Sequence, residues 1–171
     1  IEARGAEYAA AAKLIADKKP DDAVKALAAI GASSTGYAAL ANLRLAGVHA
    51  EAGRKAEAAA AYEAVQKQSG VDPLIADLAR LQSAMLMADS IDFTELQNRL
   101  NPLLTDSHPW RNQARELVAL SAIKANRNDD ARVQLDRLLG DKELPGGMRE
   151  HVTMLMAIVT QADLAKAQQA A

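Results

Sequence analysis

Alanine recurs at Ala11, Ala46, Ala84 and Ala119, at intervals of 35, 38 and 35 residues. Twelve residues after each stands a second anchor, Ala23, Ala58, Leu96 or Ala131, with the same three intervals. Four residues further on come Leu27, Tyr62, Leu100 and Leu135, and three beyond those come Ile30, Val65, Leu103 and Leu138. A small–small–large–aliphatic pattern carried through four copies restricts the fold more than any other feature of the chain. Alanine favours helix but buries little surface. Two such helices gain from contact only where they come within about 8–10 Å of each other. The stretch GRKAEAAAAYEAV, residues 53–65, concentrates this demand. Its alanines make room for a neighbouring helix, and Tyr62 is expected to fill the space toward the next repeat.

Composition agrees with packed helices. Half the residues are hydrophobic, yet only 3% are aromatic, which suits a β-sandwich poorly. A length of 171 residues suits one domain with a substantial core. The formal net charge of −2, with 25% charged residues, offers no basic face of the kind that nucleic acid requires. There is no cysteine, so neither disulfides nor thiolate metal sites arise. No run of 18 or more apolar residues occurs that would span a bilayer. Beginning at Ile1 rather than Met, the chain reads as a fragment or a processed product, from which an N-terminal anchor could have been removed.

Local signals divide the chain into helices. Pro20-Asp21-Asp22 places proline and two acids in a first turn, where proline's missing N–H costs nothing and the acids oppose the dipole. Asp72-Pro73 repeats the device, and Asp92 to Glu95 has capping-box spacing. Gly31, Gly70 and Gly140 follow helical stretches and are expected to adopt left-handed caps. The spacing predicts helices near 3–17, 20–30, 37–51, 55–68, 73–88, 94–101, 109–125, 128–139 and 147–167. Pro102 should end or bend the sixth helix by Asn101, since proline cannot donate to the Asn98 carbonyl.

This skeleton is similar to that of the tetratricopeptide repeat, whose period is about 34 residues. The expected fold is therefore all-α: a tetratricopeptide-like solenoid of about four helical hairpins plus a C-terminal capping helix. It forms a single domain over 1–171, with repeats near 3–31, 37–69, 73–104 and 109–140 and a closing helix near 147–167. Ala157, 38 residues after Ala119, aligns that last helix with the first helices of the pairs. No heptad is sustained across the breaks, which argues against a coiled coil.

Nothing in the chain has the spacing of a catalytic or metal-binding motif. His49, His108 and His151 fall in different repeats with no partner at ligand spacing, and no glycine-rich phosphate loop is present. Asp21-Asp22 and Asp129-Asp130 occupy the same place in two repeats, which suits dipole complement rather than acid–base work. Gly146-Gly147 after Pro145 reads as a turn, and Trp110 as a packing staple at a helix entrance. Met85, Met87, Met148, Met154 and Met156 are read as core packing ahead of an adaptable binding surface. The expectation is no enzyme, no cofactor and no metal.

In stacked helical hairpins the first helices line the concave face. With the recurring alanines as reference, the inward positions are Tyr8 and Ala12, Leu43 and Gly47, Leu81 and Met85, Glu116 and Leu120, Met154 and Ile158. This set is largely apolar. The lysines and asparagines with which tetratricopeptide modules clamp a terminal carboxylate are absent from it. An amphipathic helix or an unfolded hydrophobic segment would suit such a groove. Alternatively, the closing helix fills the groove itself.

The stretch HPWRNQARELVALSAIKANRNDDARVQLDRLLGDKELPGGMREHV, together with RKAEAAAAYEAV, resembles the tetratricopeptide-like domain of the bacterial ancillary Sec-translocon subunit family. Pro109-Trp110-Arg111, Ala114-Arg115-Glu116 and the segment from Pro145 to Arg149 are its most specific parts. The resemblance implies a domain on the periplasmic side of an inner membrane, anchored by an N-terminal helix that this chain lacks. It further implies protein partners: translocon subunits, periplasmic chaperones or nascent secreted chains, with neither nucleic acid nor direct membrane contact. A self-associating scaffold for envelope assembly or cell division is the alternative.

Overall fold

The computed structural model describes residues 2–33 and 36–169. Among them are nine α-helices and no strand. In chain order these are α1 (Glu2–Ala16), α2 (Pro20–Gly31), α3 (Ala38–Glu51), α4 (Lys55–Lys67), α5 (Pro73–Met87), α6 (Phe93–Leu100), α7 (Arg111–Lys124), α8 (Asn128–Gly140) and α9 (Gly146–Gln169). Each expected helix is present with its ends displaced by no more than two residues. The fold is an all-helical repeat in which helices pack on their chain neighbours. The chain divides into two compact units, Ile1–Met87 and Ala88–Ala171, so the boundary falls between the two helices of the third repeat.

Within the first unit α1 packs on α2, α2 on α3, α3 on α4 and α4 on α5. The hairpin corners are built alike. Lys18 adopts φ 57° and Gly53 φ 72°, both left-handed. At the first corner the Lys18 N–H donates to Ile15 O at 3.0 Å and Lys19 N–H to Leu14 O at 2.9 Å. At the second, Gly53 donates to Ala50 O at 3.0 Å and Arg54 to His49 O at 2.9 Å. Such a cap satisfies carbonyls that a helix end otherwise leaves unpaired. The next helix then starts directly, with Ala23 donating to Lys19 O and Ala58 to Arg54 O.

The second unit repeats this corner. Asn126 has φ 57°, donates to Ile123 O at 3.0 Å and is followed by Arg127 donating to Ala122 O at 2.9 Å. Here α6 packs on α7, α7 on α8 and α8 on α9, with a lighter contact between α7 and α9. Before α6 the device differs. Asp92 Oδ1 accepts from Glu95 N–H at 2.8 Å, a side-chain cap in place of a left-handed residue. Only half of the anticipated capping box forms, because the Glu95 carboxylate pairs with Arg99 at 2.7 Å.

The recurring skeleton is the core. Fifteen of its sixteen residues are buried; Tyr62 alone is half-buried. Tyr62 packs against a cluster that includes Leu27, Ile30, Leu45, Ala46 and Ala61 from the hairpins α1–α4. Pro102 has the expected effect: α6 stops at Leu100 and the chain passes into a 3₁₀ turn, Asn101–Leu103.

Four expectations require correction. Gly31 and Gly140 close their helices without positive φ; only Gly70, at φ 77°, is left-handed as expected. Gly31 is instead a point of close approach: a Cβ there would stand 2.3 Å from Asn42 Oδ1. Ala157 is exposed, because α9 turns Val152, Leu155 and Val159 inward. No described helix follows α9, so nothing demands a small-residue stripe on it. Finally, Met85 and Met154 are exposed, so core packing does not account for them, while Met87, Met148 and Met156 are half-buried.

Candidate functional site

The expected inward positions separate into three groups. In the first unit, Tyr8 on α1 and Leu43 and Gly47 on α3 come together in a recess of about 340 Å³. Ile15, Leu40 and Val48 complete its apolar lining, while Arg44 and Glu51 are its charged members. The Tyr8 ring is steadied by Tyr37, with ring centroids 5.9 Å apart and planes tilted by 36°. Gly47 lies inside α3, where glycine costs about 0.8–1.0 kcal/mol relative to alanine. A Cβ at Gly47 would meet nothing within 4 Å. No packing therefore requires this glycine, which stands in the wall of the recess.

Helix α5 departs from expectation. Leu81 is 3% exposed, buried together with Ala79, Ser83 and Ala84. The covered face of α5 is broader than the alanine stripe suggests, so Leu81 is unavailable to a partner. Met85, one turn on, is exposed.

In the second unit, Glu116 on α7 meets His151 on α9, with Oε1 and Nδ1 2.6 Å apart. His151, Met154 and Ile158 share one face of α9 by their helical spacing, as Glu116 and Leu120 share one face of α7. Leu120, Met154 and Ile158 are all exposed, so α9 does not cover this strip of its own unit.

The most specific segments of the resemblance lie in the second unit as well. Arg111 donates to Asp141 Oδ2 through Nε at 3.2 Å and through its terminal nitrogen at 2.8 Å. Arg149 reaches Leu139 O at 2.9 Å and Asp141 O at 2.5 Å, placing a cation on the carbonyl end of α8. The Glu143 backbone N–H and Arg111 together hold the Asp141 carboxyl below the ordinary aspartate value. Trp110 is half-buried at the entrance to α7, its backbone N–H donating to His108 Nδ1 at 3.1 Å. Arg115, named above only as part of the resemblance, is 2% exposed, a burial that the sequence did not indicate. An arginine among helix-surface residues carries no mark of burial.

Chemistry is sparse elsewhere. Among the described residues no cluster of histidine and carboxylate side chains could hold a metal. Asp21-Asp22 and Asp129-Asp130 stand in first helical turns. His49, half-buried at the second corner and facing Arg54, is held below the usual histidine range, and its Nδ1 accepts from Arg54 Nε at 2.9 Å. No described helix is long and apolar enough to cross a membrane. Comparison with known proteins gives no matching family model, no similar curated protein and no similar solved structure.

Proposed function

We propose that the chain is a non-catalytic, tetratricopeptide-like interaction domain that receives an apolar protein segment in the recess of its first helices. The observation that carries this reading is Gly47. A helix-interior glycine with no steric need for it lowers stability and adds no side chain to the wall of an aromatic- and leucine-lined recess. Such a recess suits the apolar face of an amphipathic helix or an unfolded hydrophobic stretch. The resemblance of residues 108–152 and 54–65 to the ancillary translocon subunits supports a periplasmic setting. Its partners would then be translocon subunits, chaperones or nascent secreted chains. The exposed strip of Leu120, Met154 and Ile158 favours a second reading, self-association as an envelope scaffold.

A photo-crosslinking residue in place of Leu43 distinguishes the two. The first reading expects adducts with translocon subunits, chaperones or exported chains, lost when Gly47 is replaced by Leu. Adducts only between copies of the chain support the scaffold instead. Neither kind of adduct, in a variant that melts normally, removes the recess as a binding site.

A further inference from the structure

We propose that the second unit binds a peptide carboxylate in a separate recess built by α7, α8 and the loop before α7. This recess has a volume of about 380 Å³ and is lined by Asp106, Arg111, Arg115, Arg137, Gly140 and Asp141. Three guanidinium groups and two carboxylates line it, and the Glu143 carboxylate lies 3.9 Å from Arg111 as well. Arg111 is committed to Asp141. Arg137, exposed, has no ion-pair partner among the described residues. Arg115 donates through one terminal nitrogen to Leu104 O at 3.0 Å and to Asp106, but its Nε is buried with no acceptor.

What the recess lacks is therefore an acceptor. A planar carboxylate matches the arginine fork. Asp106 does not block it. Its side chain is 93% exposed, so it meets Arg115 from the solvent side and yields at small cost to an incoming carboxylate. A neighbouring recess of about 530 Å³ shares Asp106 and Arg137 and is lined otherwise by Gln97, Asn101, Leu104, Thr105 and Gln134. Gln134 is buried and its Oε1 lacks a donor. A peptide N–H would supply that donor while the carboxylate of the same peptide lies against Arg115 and Arg137. Backbone and carboxylate are thus read by adjoining pockets of one unit. The carboxylate comes either from a chain terminus or from an acidic side chain.

The test is a titration of the full chain followed by the arginine Nε–H signals in nitrogen-15 spectra. The probes are acetyl-glycyl-glycine, acetyl-glutamate N-methylamide and the neutral acetyl-glycinamide. Saturable shifts of Arg115 and Arg137 with either carboxylate, absent with the amide, are expected. The first probe alone identifies a chain terminus, the second alone an acidic side chain, and both together a carboxylate from either source. Arg137→Gln should weaken binding roughly tenfold while melting normally, as loss of one charge-assisted hydrogen bond implies. No saturation up to ~50 mM overturns the proposal. Equal shifts with the amide, or undiminished affinity in Arg137→Gln, overturn it as well.

Discussion

The carbonyl of Gly31 accepts the side-chain N–H of Asn42 at 3.2 Å, and the glycine has no side chain because that amide occupies its place. Gln68 donates to the same carbonyl, also at 3.2 Å, so the end of α2 is fixed from both α3 and α4. Gly31→Ala should force Asn42 aside and lower stability by about 1–3 kcal/mol. Urea denaturation measures this. Combined with Asn42→Ala the loss should be less than additive, since the clash disappears with the amide.

The three left-handed corners respond to substitution in opposite senses. Lys18→Gly should raise stability by up to about 1 kcal/mol, because a side chain in that conformation is strained and glycine is not. Gly53→Ala should lower it by a similar amount. Thermal melts of the two variants against the parent decide the sign. A melting point unmoved by either would mean that these corners are not left-handed in solution.

Leu81→Asp should unfold the first unit rather than disturb a binding surface. The leucine is inaccessible, and truncation of a buried leucine already costs about 2–5 kcal/mol. An unpaired buried charge adds to that cost. Helical circular dichroism should collapse; a normal melt with impaired partner binding would restore Leu81 to the binding face.

Acid should loosen the second unit at two named carboxylates. Asp163 on α9 accepts from Asn128 at 2.5 Å and from Arg132 at 2.7 Å, and these bonds depress its pKa. Asp141 is depressed by the Glu143 N–H and by Arg111. A carboxylate with a lowered folded-state pKa adds stability that is fully present above its unfolded value. That stability is lost as pH falls through the folded value. Melting temperature should therefore hold near neutrality and fall below about pH 4. Asp163→Asn should melt lower than the parent at pH 7 and lose less on acidification.

Helix limits were legible because their causes are local. Pro20, Asp72-Pro73, Asp92 and Pro102 each act on the backbone within one turn, and the alanine skeleton marks the buried face. The left-handed positions were not, because lysine and asparagine accept that conformation at modest cost and nothing in Lys18 or Asn126 announces it. Gly31 misled for a related reason: a glycine after a helix reads as a cap, whereas its neighbour Asn42 lies eleven residues away. Of the candidate site, register alone put Tyr8, Leu43 and Gly47 on one face, and the three line one recess. Leu81 failed because burial on two flanks of one helix depends on the neighbours' width. The burial of Arg115 was not legible because its carbonyl partner, Leu104, lies in a loop that no periodicity covers.

The like-built corners at Lys18, Gly53 and Asn126 bear on how fast the chain acquires its structure. Each is closed by bonds reaching back no more than five residues, and α2, α4 and α8 then pack on the helix just before each corner. Loop closure between such near segments removes little chain entropy, so folding is expected to be rapid, in the microsecond-to-millisecond range of helical proteins with local contacts. A hairpin such as α1–α2 can also form while later residues are still being delivered. The chain thus needs no distant segment in order to start folding.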